Sequence, residues 1–334
     1  MWFPCCYLVL LITLINVSLS FTAEKESEDP PRYCGIARPN PTVKKKAKGA
    51  EETAPHEFPW IVKIYHNKTF KCAGSLISDE YILTAASCVT SLKPGASTKP
   101  VRLRGSNLRN TEKRPPTEFV LEFGAHAFKE TYENIVRRFG VEVLLYPNYD
   151  TFDIQKTVMQ TNDIALIRVK PIVFNKKMYP ICLPKPKAKI REHSNLLISG
   201  WSSRVYDLLK KPLDPSKNLM KSEVTKISFP SCKKHEKASM FLDPLYQLTK
   251  NEVFCLTGKN NFDGCTSDYG GPAMVKSSGD YYHLAGIASW RSNCATNGNP
   301  SFYAQVTKFL DFILASTKNS KFLPSKDDRS RNEF

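Results

Sequence analysis

Glycine is scarce in this sequence, and several patterns that identify common protein classes are missing. Only 15 of the 334 residues are glycine, below the typical share of about 7%. There is no glycine-rich phosphate loop, no internal repeat and no C-x-x-C cysteine pair. Outside the N-terminal region, no apolar run approaches the roughly 20 residues of a membrane-spanning helix. These absences argue against a P-loop nucleotide site, a repeat architecture, and a zinc or dithiol site. We therefore expect no metal and no cofactor.

Acidic residues are also outnumbered. The chain has 48 Lys and Arg residues against 32 Asp and Glu residues, a formal net charge of +16. Hydrophobic residues make up 41% and charged residues 24%, a balance typical of a folded globular protein rather than a disordered one. The positive charge makes a sulfated glycan or another anionic surface a reasonable partner. No aromatic residues lie among the basic runs, which argues against nucleic acid.

The two ends of the chain differ from its middle. Residues 1–20 carry no charged side chain and contain a short apolar stretch at 8–15, which predicts a secretory signal peptide. The alternative, a membrane anchor, is disfavoured because that stretch is short. Residues 21–48 are polar and rich in proline and lysine, typical of a leader or propeptide-like segment, and 317–334 predict a flexible C-terminal tail. We thus expect a secreted, extracellular protein, without a membrane span, whose folded domain covers 49–316.

The cysteines fit that location. The sequence has 10 cysteines; Cys5 and Cys6 lie within the predicted signal peptide. Eight remain, an even number that suggests four disulfides in an oxidising compartment. Eight cysteines allow 105 pairings, so the pairing stays open on this ground alone.

Short apolar segments separated by turn residues predict an all-β sandwich or barrel. The predicted strands are 61–65, 74–77, 81–85, 101–103, 141–145, 164–169, 196–199, 282–290 and 302–306. Near the C-terminus, apolar residues between Val306 and Leu314 recur at helical spacing, which predicts one helix.

A set of short strings, in this order and spacing, resembles the chymotrypsin/trypsin-like serine protease family. They are APHEFPW (54–60), CAGSLI (72–77), YILTAASC (81–88), NDIALI (162–167), PICLP (180–184), SGW (199–201), VFC (253–255), DGCTSDYGGP (263–272) and ASW (288–290). The resemblance covers about 49–315. It implies two six-stranded antiparallel β-barrels, closed by a C-terminal helix, with a cleft between the barrels.

The resemblance does not extend to the catalytic residues. The family uses a serine nucleophile, a histidine base and a buried aspartate that orients the histidine. The histidine position holds Ser87 and the nucleophile position holds Tyr269, so only the aspartate, Asp163, matches. A serine hydroxyl does not accept a proton near neutral pH, and a phenol without a base beside it is a poor nucleophile. We expect a degenerate triad and no catalytic residues.

Further positions depart from the family pattern. Ser267 replaces a glycine of the oxyanion hole, where a Cβ hinders the required backbone conformation. Arg291 and Ser301 replace the two glycines that wall the specificity pocket, while Asp263 matches the pocket-floor aspartate of trypsin-like members. Residues 47–50 (AKGA) stand where the family has the Ile-Val-Gly-Gly activation string. The missing glycines account for part of the low glycine count.

The six histidines are the candidates for a relocated base, although none lies in a string that the family uses for chemistry. They are His56, His66, His126, His193, His235 and His283. We expect them to be loop or surface residues.

The resemblance also implies four disulfides, namely Cys34–Cys182, Cys72–Cys88, Cys232–Cys255 and Cys265–Cys294. Asn67-Lys-Thr is the N-glycosylation sequon outside the signal region whose middle residue is not proline. The candidate polyanion-binding residues are Arg102, Arg104, Arg109, Lys185, Lys187, Lys189 and Arg191. Most charge runs are only solvated faces, and that reading stays open here.

Together these patterns predict a secreted, non-catalytic serine protease homologue that acts by binding an extracellular protein, such as a protease, an inhibitor or another component of a proteolytic cascade. The alternatives are a serine endopeptidase with rearranged machinery, or a venom or salivary factor of the same fold. Absence of peptide hydrolysis would exclude the first alternative, and the tissue of expression would separate the second.

Overall fold

The structure is a computed structural model that describes residues 32–39, 46–47, 50–92, 111–129, 135–154, 157–201, 215–233, 252–258, 269–277, 281–291 and 300–326. In chain order its first strands are β1 (Lys46–Ala47), β2 (Ala50–Glu52), β3 (Ile61–His66), β4 (Thr69–Leu76), β5 (Tyr81–Thr84), β6 (Thr90–Leu92), β7 (Thr111–Lys113), β8 (Phe119–Phe123) and β9 (Val136–Leu145). The later strands are β10 (Asp150–Ile154), β11 (Thr157–Thr161), β12 (Ala165–Val169), β13 (Asn195–Gly200), β14 (Met220–Ile227), β15 (Val253–Gly258), β16 (Pro272–Lys276), β17 (Tyr282–Arg291) and β18 (Ser301–Gln305).

Six of these strands form a closed first barrel in the order β12-β5-β4-β3-β8-β9, and the pairing of β9 with β12 closes it. All of its pairings are antiparallel. Its strands are rich in Ile, Val and Leu, which suit a pleated surface with a buried face. Buried side chains such as Val62, Leu83, Leu121 and Leu166 fill the interior.

The second barrel contains β13, β14, β15, β16, β17 and β18. These strands pair in the order β14-β13-β16-β17-β18-β15, and the β14–β15 pairing returns the sheet to its first strand. The prediction of two six-stranded antiparallel barrels is therefore confirmed. Strand β2 adds to the outside of β14, and β1 pairs with β2 so that Ala47 lies opposite Ala50. Ala47 and Ala50, the first and last positions aligned with the activation string, are thus joined in an antiparallel pair.

Helices are short in the described residues. They are α1 (Phe229–Lys233) and α2 (Leu310–Ser316), with 3-10 turns at Ala86–Cys88, Pro116–Glu118 and Val306–Lys308. The predicted C-terminal helix is present as the last 3-10 turn followed by α2. None of the helices in the described part of the chain is long and apolar enough to cross a membrane.

The segment after α2 lies against the domain. The Lys321 amide donates to the Asp79 carboxylate at 2.8 Å, and the Cys34 amide donates to the Pro324 carbonyl at 3.1 Å. Phe322 and Leu323 are partly buried against the main core. Residues 317–326 thus contact the domain, and the flexibility expected of the tail from 317 stays a prediction. Residues 327–334 lie outside the described residues.

Candidate functional site

Asp163 is the centre of the candidate site. It lies just before β12 and is only 2% exposed. Its Oδ1 accepts a hydrogen bond from the Ser87 amide at 2.8 Å, and its Oδ2 accepts one from the Ser87 hydroxyl at 3.0 Å. The Ser289 hydroxyl donates a shorter bond to Oδ2, at 2.6 Å. The carboxylate is thus held by two serines from different barrels.

The local fold places each donor. Ser87 belongs to the 3-10 turn that follows β5, and its neighbour Cys88 is fixed to β4 by the Cys72–Cys88 disulfide. Ser289 is buried within β17 of the second barrel. The carboxylate therefore joins the two barrels where they meet, which is the position that the sequence resemblance implies for the cleft.

Burial has the largest effect on the pKa of the Asp163 carboxylate. Removal from water raises the pKa of Asp163 from 3.8 to about 6, although the hydrogen bonds from Ser289, Ser87 and Ala86 act in the opposite direction. Hydroxyls and amides stabilise a carboxylate without carrying positive charge, so they only partly offset its desolvation. None of these donors gains or loses a proton near neutral pH. The hydroxyls and amides of this constellation cannot act as a general base. Its one member that titrates near neutral pH is the buried carboxylate itself, which contacts no imidazole among the described residues.

Tyr269 lies at the start of the turn that leads into β16, and 42% of it is exposed. Its carbonyl accepts a hydrogen bond from the Ala73 amide of the first barrel at 2.9 Å. The next residue, Gly270, has φ +77°, and a Cβ there would lie 2.1 Å from the Thr84 hydroxyl. Only glycine fits this close approach. The backbone turn of the family's nucleophile string is therefore kept, with a phenol in place of the serine.

The two predicted pocket-wall positions face each other. Arg291 ends β17 and Ser301 begins β18, and the two residues are paired across the strands. Ser301 is buried. The two remaining pocket and oxyanion positions, Asp263 and Ser267, lie outside the described residues.

The histidines lie elsewhere, and the expectation of loop or surface positions is wrong for His283, which is buried within β17. His66 pairs with Glu118 at 2.7 Å, His126 lies 3.7 Å from Glu52, and His283 lies 3.3 Å from the Ser325 hydroxyl. His56 and His193 lie in loops with positive φ, and His235 is outside the described residues. In the described part of the chain, Asp163 bonds to Ser87, Ala86 and Ser289 and to no imidazole.

Ser289 is the site residue that sequence reasoning missed. It stands in the string ASW at 288–290, which contributed to the resemblance but received no role. Its position next to a strand end and a tryptophan gives no sign of a carboxylate partner 126 residues away in sequence. Only the packing of β17 against the loop before β12 brings the two side chains together.

Three of the four expected disulfides are present in the structure. They join Cys34 to Cys182, Cys72 to Cys88 and Cys232 to Cys255. The first ties the predicted leader to the domain. Cys265 and Cys294 lie outside the described residues.

Asn67 lies at the exposed tip of the hairpin between β3 and β4. Asn67 and Lys68 both have positive φ, at 48° and 65°, the pattern of a type I′ hairpin turn. The sequon is therefore accessible, and its glycosylation stays a prediction.

The structure describes four of the seven basic candidate residues. Arg102, Arg104 and Arg109 lie outside the described residues. Lys187, Lys189 and Arg191 are exposed and Lys185 is half-buried, all in the loop before β13. No group of three or more metal-ligating side chains occurs within the described ranges.

Comparisons with known proteins agree with this architecture. The family model for trypsin matches residues 47–313. Phenoloxidase-activating factor 3 of Holotrichia diomphalia is 32% identical over 281 residues, which cover 80% of this chain and 71% of that protein. CLIP domain-containing serine protease B4 of Anopheles gambiae is 29% identical over 276 residues, 79% of this chain and 68% of that protein. Transmembrane protease serine 11C of Mus musculus is 26% identical over 275 residues, 81% of this chain but only 54% of that protein.

Proposed function

The chain belongs to the trypsin family of serine proteases, and we propose that it is a secreted, non-catalytic member that acts by binding within a proteolytic cascade. The observation that carries the proposal is the environment of Asp163. A protease of this kind needs that carboxylate to orient an imidazole. Here its partners are the Ser87 amide and hydroxyl and the Ser289 hydroxyl.

The nucleophile position supports the same proposal. Tyr269 replaces serine on a turn whose backbone is fixed by Gly270 and by the bond to Ala73. The phenol is bulkier than a serine and is partly exposed. With no imidazole beside Asp163 to take its proton, Tyr269 lacks the activation that a nucleophile requires.

The relatives support a role in a cascade. One is named an activating factor for phenoloxidase and another a CLIP domain-containing serine protease. We therefore propose an extracellular protease, inhibitor or cascade component as the partner.

A two-part experiment tests the proposal. The purified chain, before and after limited proteolysis, is incubated with a panel of chromogenic peptides, with trypsin as the positive control. We expect no hydrolysis above background. The same protein, immobilised, is then exposed to the native secretion, and bound proteins are identified by mass spectrometry. Hydrolysis that a serine-protease inhibitor abolishes would refute the non-catalytic role, and failure to retain any cascade protein would refute the binding role.

A further inference from the structure

The loop between Cys182 and β13 carries four cationic side chains in a short span. We call residues 185–193 the basic loop; its sequence is KPKAKIREH. Two hydrogen-bonded turns shape it. The Ala188 amide donates to the Lys185 carbonyl at 3.1 Å, and the Ser194 amide donates to the Arg191 carbonyl at 3.3 Å.

Both turns hold a basic residue in the left-handed region. Lys187 has φ 67° and His193 has φ 63°. In the first turn Pro186 precedes Lys187, which is the arrangement of a type II turn, where glycine is the favoured third residue. A side chain with a Cβ is disfavoured at such a φ. Strained residues of this kind concentrate at functional sites, so the lysine at this position calls for a reason beyond the turn itself.

The loop presents its cations on one side. Ala188 and Ile190 are buried, whereas Lys187, Lys189 and Arg191 are exposed. Lys187 occupies the left-handed position of the 185–188 turn, and Lys189 and Arg191 follow it with buried residues between them. Neither Lys187 nor Lys189 forms an ion pair with a described residue. The loop therefore exposes a row of three cationic side chains within five residues.

The row rests on a fixed base. The Lys226 side chain of β14 donates to the Ile190 carbonyl at 2.7 Å. The backbones of His193 and Lys226 are joined at 2.9 Å, and the Lys226 amide donates to the Ser194 carbonyl at 2.9 Å. Lys226 adds a fifth cation beneath the loop, and Glu192 is the one acidic residue between 185 and 194. These bonds hold the backbone that carries the exposed cations.

We infer that the basic loop is a binding surface for a sulfated glycan, separate from the Asp163 site. A row of cations on a hydrogen-bonded loop complements a chain of sulfate groups, and neighbouring charges act together. Binding of single-stranded nucleic acid commonly uses aromatic side chains for stacking, and the loop has none. Insertion into a lipid surface needs exposed apolar residues, and Ala188 and Ile190 face the core. The inference rests on the proposed secretion of the chain but not on its lack of catalysis.

The test is chromatography of the full chain on heparin resin with a salt gradient. We expect retention at about 0.15 M salt and elution well above it, because the Debye length falls from about 8 Å at 0.15 M to about 3 Å at 1 M. The variant Lys187→Gln/Lys189→Gln/Arg191→Gln should elute at clearly lower salt. Its matched control neutralises three exposed lysines elsewhere: Lys170→Gln/Lys217→Gln/Lys318→Gln. Both triple variants lose the same charge. If the basic loop is the binding site, the control should elute near the wild type, whereas binding through net charge alone would shift both variants equally.

A second variant separates binding from folding. Lys187→Gly places the residue that the type II turn favours at its left-handed position, so the melting temperature should be unchanged or higher. The eluting salt should nevertheless fall. Three results would overturn the inference: flow-through of the wild type at about 0.15 M salt, an equal shift of both triple variants, or retention on single-stranded DNA or anionic vesicles as strong as on heparin. None of them bears on peptide hydrolysis.

Discussion

Replacing Asp163 with asparagine should stabilise the protein at neutral pH and remove part of its pH dependence. In the native state the carboxylate is buried without a cation among the partners that the structure describes. Asparagine has nearly the same shape, its oxygen can accept the bond from the Ser87 amide, and its NH₂ can donate to the Ser87 or Ser289 hydroxyl. The substitution therefore removes a buried charge while keeping the hydrogen bonds.

The magnitude follows from the pKa of Asp163, which burial raises from 3.8 to about 6. At about 1.36 kcal/mol per pKa unit, this corresponds to about 3 kcal/mol. Because the pKa is higher in the native than in the unfolded state, the native state binds more protons between these values. The contribution of this group is therefore fully present below pH 3.8 and is lost as the pH rises through about 6.

The assay is urea unfolding at 25 °C, from pH 4 to pH 8, of the wild type, Asp163→Asn and the control Asp311→Asn, whose carboxylate is exposed. The free energy of unfolding of Asp163→Asn, relative to that of the wild type, should rise by about 2.4 kcal/mol between pH 4 and pH 7, because at pH 4 the wild type has already lost part of the full contribution. The control should follow the wild type. The opposite result would be a fall in the stability of Asp163→Asn, relative to the wild type, between pH 4 and pH 7.5. In that case the hydrogen bonds from the serines stabilise the carboxylate by more than its burial costs, and the reasoning is wrong.

Three further outcomes are expected. The double variant Ser87→His/Tyr269→Ser should not hydrolyse peptides, because the activation string and the oxyanion and pocket glycines are still missing; turnover in a peptide assay would contradict this. A protein nicked within 44–48 should run as one band on an unreduced gel and lose a small fragment on reduction, because the Cys34–Cys182 disulfide holds the leader. Loss of the fragment without reduction would contradict this. Lys63→Met should destabilise the protein by about 3–5 kcal/mol in urea unfolding, because the buried carbonyls of Ala127 and Phe128 and the Glu122 carboxylate lose their ammonium partner. A change below about 1 kcal/mol would show that these groups do not depend on the ammonium.

The architecture could be predicted because its signals are local. Segments such as 61–65 and 164–169 are short apolar runs between turns, and they appear in the structure as β3 and β12. Strand β14 (Met220–Ile227) was missed because charged and polar residues alternate with few apolar ones, so its sequence resembles a loop. Its assignment depends on pairing with three other strands, β2, β13 and β15.

Lys63 shows what the sequence could not reveal. A lysine within a strand is expected on the solvent side, yet this one is fully buried. Its ammonium group donates to the carbonyls of Ala127 and Phe128 and lies 3.6 Å from Glu122. It also lies 4.9 Å from the centre of the Trp201 ring. These partners come from separate segments, and only the fold assembles them.

Parts of the candidate site could likewise be predicted from the sequence, and other parts could not. The positions of Ser87, Asp163 and Tyr269 follow from the ordered strings, and the structure places Ser87 and Asp163 in direct contact. The role of Ser289 depends on contact between the two barrels, which no local pattern encodes. The pairing of Arg291 with Ser301 likewise depends on the register of β17 and β18.

The most direct test of the central claim is intact-protein mass spectrometry after incubation with excess fluorophosphonate, with trypsin treated in parallel. Such a probe requires a serine activated by a base, and Asp163 here contacts serines rather than an imidazole. We predict that trypsin gains one adduct and that this protein keeps its unmodified mass, both intact and after limited proteolysis. A stoichiometric adduct on any serine of this chain would contradict the account.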